Sequence, residues 1–510
     1  MDESNRRTRR TAWSFASGLT GNAATVLVSL AITPMLLRLL GTERFGAFRA
    51  SLDALGYLGV LEFGLGGALP PLLIAALATT GRGVVAATVA MGMRAYVRVM
   101  LLSLIAGAVL VQVMPSLVPV RAQLHAELFA GCLVGLASLL LLPLQPFRLL
   151  ISADQRDYVV QQMLVLQSLT IMGTALLLAR AGFGLPGQFG ANLLGQLAFS
   201  AGIVWFGARR SPGVWRLALQ RPSSDLRADL RRLSLPTFVA SVAGRISFLS
   251  DNVVAAVILG PVAVVPLVLT VRLPSLFQSQ LLVAGNASWA ALGDLHARGE
   301  HQRFQNGVLE LTGLLAAGGA AALVPVVALN RQFVALWVGP QHFAGDATAV
   351  VAAVSAAVYP IISLWATCFS GTGHVGRLAP IWVANAVVNV GLSVLFTIHL
   401  GVVGPPLGTL AALALTAAWA LPLALRRAFG IPTAALVDAA ARPLLWGGCF
   451  AAAAWAVSGR FGPLGWGAVF SVGALSGVLF LTFWWFVLLK SPGRARLAER
   501  ARAIARTSRA

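Results

Sequence analysis

A few charged side chains lie within stretches of the sequence that are otherwise apolar, where they could bind an anion or couple ion movement. Arg49 and Asp53 are four residues apart, so they share one helical face and can pair. Arg245 and Arg272 lie inside two later apolar stretches. A guanidinium group suits bidentate contact with phosphate. We therefore expect Arg245 and Arg272, assisted by Arg49, to bind an anionic substrate.

Four further polar side chains complete the candidate site. Asp251 points about a third of a turn away from Arg245, and Glu62 lies later in the stretch that holds the Arg–Asp pair and faces nearly the other way. Asp251 and Glu62, like Asp53, could balance the charge of an arginine or couple ion movement. Ser241 and Asn252 share the face of Arg245, so they are predicted to form a polar cavity face.

Two interpretations of these charges remain open. The three arginines could each be paired with one of the three acids, which would lower the cost of burying them. Alternatively, the arginines could face a water-filled cavity that attracts an anion. We favour the cavity because ionisable residues in membrane helices usually mark a substrate path.

The elements that hold these residues are predicted to be membrane-spanning helices. Of the 510 residues, 58% are hydrophobic and 11% are charged. Apolar runs of about 18 residues or more recur, each long enough to cross a hydrocarbon core of about 30 Å, and they do not alternate as barrel strands would. About fourteen spans are predicted. Their limits are 13–37, 46–77, 93–115, 124–145, 157–180, 187–208, 236–259, 262–291, 306–328, 347–370, 379–399, 404–425, 442–459 and 464–489.

The net charge of +21 is explained mainly by membrane topology. With the N-terminus inside, most of the basic residues fall in inside loops and tails, as positive-inside orientation requires. Both termini are then cytoplasmic, and the basic tail is predicted to contact anionic headgroups. The first apolar run is too long for a cleaved signal peptide, so it is predicted to be the first span. Nucleic-acid binding is not needed to explain the charge.

The longest polar break divides the chain into two comparable halves. The predicted organisation is a six-helix bundle at 1–208, a basic cytoplasmic linker at 209–235, a second six-helix bundle at 236–430, two additional helices at 431–489 and a basic cytoplasmic tail at 490–510. Leu39-Leu-Gly41 and Ile258-Leu-Gly260 form a faint repeat. Repeats of this kind are common in secondary transporters, whose substrate site lies between the halves near the bilayer midplane.

No short catalytic or metal-binding motif is present. There is no Walker A sequence and no H-E-x-x-H. Cys132, Cys368 and Cys449 are scattered and suggest neither a metal site nor a disulfide framework. We therefore expect no enzymatic activity, no cofactor and no bound metal.

Four segments of the chain resemble polysaccharide-exporter flippases of the O-antigen type. They are Leu39-Leu-Gly-Thr-Glu-Arg-Phe-Gly-Ala-Phe48, Tyr57-Leu-Gly-Val-Leu-Glu-Phe-Gly-Leu-Gly-Gly-Ala-Leu69, Ser247 to Gly260, and Gly401-Val-Val-Gly-Pro-Pro-Leu-Gly-Thr409. The resemblance implies an all-α member of the multidrug/oligosaccharidyl-lipid/polysaccharide (MOP) superfamily, with two six-helix bundles related by a pseudo-two-fold axis around a cationic cavity. It also implies alternating-access transport of undecaprenyl-pyrophosphate-linked oligosaccharide across the bacterial inner membrane, for polysaccharide biosynthesis beside polymerase or export machinery.

The chain departs from the family pattern at three places. Glu62 stands where the family more often has Asp, Pro266 where it often has an aromatic residue, and Asn286-Ala-Ser-Trp289 replaces a small-residue–Pro motif. Two alternatives remain: a cation-coupled multidrug exporter of the same fold, against which the arginines argue, and, ranked lower, a membrane saccharide polymerase or ligase. The longest predicted outside loop, about 330–346, is short for such an enzyme.

Overall fold

The structure is a computed structural model, and it describes most of the chain. The described residues are 3–62, 64–78, 82–154, 156–218, 250–372, 376, 378–458, 464–489 and 494. Two candidate site residues, Ser241 and Arg245, lie outside the described residues, as do most of the predicted linker and almost all of the C-terminal tail.

The described chain is helical, and none of the described residues forms a β-strand. The first helices are α1 Glu3–Gly56, α2 Leu65–Ala78, α3 Arg82–Leu117, α4 Ala122–Ala137, α5 Gln145–Ala153, α6 Asp157–Arg180, α7 Gly184–Ala208, α8 Val214–Leu217 and α9 Ser250–Leu259. The others are α10 Pro261–Ala287, α11 Trp289–Ala297, α12 His301–Val338, α13 Asp346–Gly371, α14 Ala379–Leu400, α15 Gly404–Leu415, α16 Ala417–Phe429, α17 Thr433–Ser458 and α18 Trp466–Phe483. The predicted all-α, polytopic class is confirmed.

Ten helical segments among the described residues are long and apolar enough to cross a membrane. One of them, Ala379–Phe429, includes two of the predicted spans, and α17 is long but does not reach the same apolarity. The chain is therefore a multi-pass membrane protein, and its exact number of spans stays a prediction.

The predicted span 46–77 is divided in the structure. The helix α1 ends at Gly56, and a 3₁₀ segment, Tyr57–Glu62, separates it from α2. Gly64 precedes α2 with a φ of 72°, a left-handed conformation that glycine adopts without steric cost. Irregular backbone at membrane depth occurs where it is buried in protein or lines a cavity. The break follows Arg49 and Asp53 and ends at Glu62, another candidate site residue.

A kink at Gly41 divides α1 itself, with a φ of 76°. Glu43 and Arg44 follow the kink and form ion pairs with Arg121, which precedes α4, and with Glu127 on α4. The Glu43 carboxylate lies 3.2 Å from Arg121 Nε, and Arg44 Nε donates to both carboxylate oxygens of Glu127 at 3.0 Å. These contacts hold the second part of α1, which carries Arg49 and Asp53.

The described chain forms two compact units, Met1–Val265 and Pro266–Ala510. In the first, the buried ring of Phe189 on α7 lies against two glycines of α4, and Phe48 of α1 meets it edge to face at 5.1 Å between ring centroids. A Cβ atom at Gly135 would lie 2.7 Å from that ring, and one at Gly131 2.9 Å. Small residues thus allow close helix approach, as is common between membrane helices.

In the second unit, α12 is the central helix. A Cβ atom at Gly447 of α17 would lie 2.5 Å from Ala320 of α12, and one at Gly477 of α18 would lie 3.2 Å from the carbonyl oxygen of Ala321. The two C-terminal helices therefore pack directly on α12. The predicted boundaries of the five segments stay a prediction.

Candidate functional site

Asp53 and Asn252 form the closest contact within the candidate site. The Asn252 side-chain amide donates a hydrogen bond of 2.6 Å to Asp53 Oδ2, which joins α1 to α9 within the first unit. Both side chains are half-buried. Because a hydrogen bond to a charged group is stronger than one between neutral groups, this contact offsets part of the cost of burying the carboxylate.

A glycine allows the chain that follows α9 to approach α1. An ideal Cβ atom at Gly46 would lie only 1.8 Å from the carbonyl oxygen of Pro261. Any larger residue at position 46 would therefore force the start of α10 away from α1. Gly46 lies two turns before Asp53, so it helps to position the helix face that carries the Asp53–Asn252 bond.

Arg49 lies one turn before Asp53, and its charge is not matched by a direct ion pair. Among the described residues, no carboxylate oxygen lies within 4.0 Å of its guanidinium nitrogens, although Asp53 attracts it electrostatically at longer range. Its Nε atom is buried and has no hydrogen-bond partner in the described part of the chain. The guanidinium carbon lies 5.9 Å from the centroid of the Phe45 ring.

Tyr57 extends this polar face and was not among the sequence-predicted residues. It is half-buried and interacts electrostatically with both Asp251 and Asp53. The sequence could have indicated this position, because Arg49, Asp53 and Tyr57 follow one another at intervals of four residues and so share one helical face. The structure therefore brings together an arginine, two carboxylates, an amide and a phenol within the first unit.

Glu62 contacts a different helix. The hydroxyl of Tyr96, which is fully buried on α3, donates to Glu62 Oε1. A Cβ atom at Gly66 would lie 2.8 Å from the same oxygen. The contact ties the end of the 3₁₀ segment to α3, and it gives Glu62 a structural partner among the described residues.

Arg272 lies in α10, in the second unit, and is half-buried. Ser241 and Arg245 are outside the described residues. Of the three arginines predicted to bind the substrate, the structure therefore describes two: Arg49 in the first unit and Arg272 in the second.

No metal-binding cluster occurs in the described ranges, where no group of three His, Cys, Asp or Glu side chains could hold an ion. Cys132 and Cys368 are buried and Cys449 is exposed, and all three are free thiols.

This chain is similar to solved structures of known proteins. No protein-family model matches the sequence, and no curated protein matches it. The solved structure of a lipid II flippase MurJ, in an inward closed conformation, is similar at 13% identity, over 93% of this chain and 99% of that one, with a TM-score of 0.69. The chain has the fold of a MOP-superfamily transporter.

Two further solved structures are transporters of the MATE type. An inward-facing multidrug resistance MATE family transporter of the MOP superfamily is similar at 15% identity, over 86% of this chain and 98% of that one, with a TM-score of 0.60. A MATE protein in a bent conformation is similar at 17% identity, over 90% of this chain and 100% of that one, with a TM-score of 0.52. These similarities establish the fold of this membrane protein, which a flippase and multidrug transporters share.

Proposed function

We propose that this protein is a flippase that moves a lipid-linked saccharide with an anionic headgroup, of the undecaprenyl-pyrophosphate type, across the bacterial cytoplasmic membrane. The observation that carries the proposal is Arg49, a guanidinium in a membrane-spanning helix with no carboxylate in direct contact among the described residues. A buried cation without a contacting counter-ion is costly, and an anionic substrate would supply the missing charge. The similarity to a lipid II flippase supports the same substrate class.

In this proposal the arginines bind the diphosphate and the acids adjust the charge of the site. Arg245 and Arg272 hold the diphosphate with assistance from Arg49, since a guanidinium matches phosphate oxygens in a bidentate manner. Asp53 is already engaged by Asn252, and it balances charge or couples ion movement together with Asp251. Both bundles would alternate in access around the site, with both termini cytoplasmic.

A cation-coupled multidrug exporter of the same fold is the second candidate. The Asp53–Asn252 contact favours it, because a carboxylate held in a membrane helix is a suitable proton or cation site. The similarity to MATE transporters fits the same candidate. A substrate that is itself cationic would, however, be repelled by Arg49. A saccharide polymerase or ligase has no support from a polar catalytic arrangement in the described residues.

A deletion strain separates these candidates. We expect lipid-linked saccharide to accumulate on the inner leaflet when the protein is absent, because translocation is the step that is lost. The measurement is labelling of the saccharide with a membrane-impermeant reagent in intact and in permeabilised cells. Accumulation on the outer leaflet would instead indicate a polymerase or ligase, and an unchanged pool would remove the support for a flippase.

A further inference from the structure

A cavity lies within the second unit, beside the last third of α12, the start of α13 and the end of α17. Its volume is about 380 Å³, which lies within the range of about 300–1,000 Å³ typical of small-molecule sites. It is lined by Val327, Ala328, Arg331, Gln332, Asp346, Trp455, Ala456 and Ser458, from α12, the start of α13 and the end of α17. None of the residues proposed to bind the diphosphate lines it.

The charged residues of this cavity neutralise each other. Arg331 Nε donates to Asp346 Oδ1 at 3.2 Å, a second guanidinium nitrogen donates to Asp346 Oδ2, and the guanidinium carbon lies 5.6 Å from the centroid of the Phe343 ring. The lining residues therefore carry one positive and one negative charge, which contact each other in one ion pair. A neutral ligand fits this balance better than a phosphate, which would have to compete with Asp346 for the arginine.

The remaining lining groups match the surface of a sugar. Trp455 is 50% exposed and offers an aromatic face, next to the small residue Ala456. The amide side chain of Gln332 also lines the cavity, and its Oε1 atom is buried and has no hydrogen-bond partner in the described part of the chain. A sugar ring has an apolar C–H face and a rim of hydroxyls that donate and accept hydrogen bonds. An aromatic ring beside planar polar groups is complementary to both.

We infer that this cavity binds a neutral sugar unit through Trp455, Gln332 and the Arg331–Asp346 pair. The inference rests on the proposed function, since the bound sugar would be part of the transported lipid-linked saccharide. The proposed orientation places the end of α12, the start of α13 and the end of α17 on the outer side. The site would then hold the saccharide after translocation, separately from the diphosphate.

Saturation-transfer NMR on the purified full-length protein tests the inference. The probes are single free hexoses and N-acetylhexosamines, with glycerol phosphate as the anionic comparison. We expect at least one neutral sugar to bind, and Trp455→Ala and Gln332→Ala each to weaken its binding about ten-fold, equivalent to about 1.4 kcal/mol. Trp419→Ala is the matched control, because Trp419 is 68% exposed on α16 and does not line the cavity. Binding in this control should not change.

The outcomes distinguish this inference from the proposed function. Sugar binding that survives both cavity substitutions, or saturable binding of glycerol phosphate alone, would overturn the sugar site whatever the transport activity is. Gln332→Ala provides a second, smaller truncation if Trp455→Ala does not fold. Arg272→Ala should keep sugar binding but slow translocation. If translocation by the wild-type protein is absent while sugar binding persists, the flippase proposal fails and the sugar site stands.

Discussion

At the scale of single residues, the described part of the candidate site contains an Asp53–Asn252 hydrogen bond and no Arg49–Asp53 ion pair, an alternative that the sequence left open. Arg49 and Asp53 share a helical face, but in the described part of the chain Asp53 accepts from Asn252 while Arg49 has no contacting carboxylate. The two partners of the Asp53–Asn252 bond are separated by 199 positions in sequence, so no local pattern could predict their contact. Tyr57 was predictable in principle, because it continues the four-residue spacing of Arg49 and Asp53.

Loss of the Asn252 amide should destabilise the protein. In Asn252→Ala the half-buried carboxylate of Asp53 loses its hydrogen-bond donor, which costs about 1–3 kcal/mol. We expect a lower midpoint of thermal unfolding for the purified protein in detergent. Asn306→Ala is the control, because the contact of Asn306 with Gln302 is a long and exposed one of 3.4 Å. Equal unfolding midpoints for Asn252→Ala and the wild type would show that the bond contributes nothing.

At the scale of elements, hydropathy predicted the class of structure but not the breaks in its helices. The all-α, polytopic class follows from the length and continuity of the apolar runs. The 3₁₀ segment Tyr57–Glu62 is nearly as apolar as the helices on either side, so hydropathy could not separate it from them. Its position depends on Gly64 and on the bond between Glu62 and Tyr96, which are features of backbone conformation and packing.

The close approach between α1 and the start of α10 gives a prediction at this scale. Gly46→Ala would place a methyl group 1.8 Å from the carbonyl oxygen of Pro261, so the backbone must shift at a cost of about 1–3 kcal/mol. We expect a lower unfolding midpoint and weaker transport, since the shift also moves the face that bears Asp53. Gly391→Ala is the matched control.

Gly391 differs from Gly46 in the space around its Cα atom. Gly391 is also a helical glycine, but a Cβ atom added there would meet no atom within 4 Å outside its own local helix. Alanine there should be neutral or slightly stabilising, because alanine favours helix by about 1 kcal/mol over glycine. A Gly46→Ala protein as stable as the Gly391→Ala protein would contradict the tight approach.

At the scale of the whole molecule, one fold serves transporters of different kinds. The solved structures with this fold include a lipid II flippase and multidrug transporters, so the fold alone does not choose between them. The choice depends on the charge of the proposed substrate site, where Arg49 would favour an anion. We expect cells that produce the protein to accumulate a cationic dye to the same level as cells without it. Dye efflux that is lost in Asp53→Asn would instead favour the multidrug exporter.

The proposed flippase activity is tested most directly with the purified protein in vesicles that contain a lipid-linked oligosaccharide. The rate at which the saccharide crosses the bilayer is measured by its accessibility to an impermeant enzyme or label. We expect Arg49→Ala combined with Arg272→Ala to reduce this rate by about ten-fold or more, because charged contacts of about 1.5–3 kcal/mol to the diphosphate are lost. Arg303→Ala, which removes an exposed arginine paired with Glu300, should leave the rate unchanged. Equal rates for the wild type and the folded double variant would contradict the proposed substrate site.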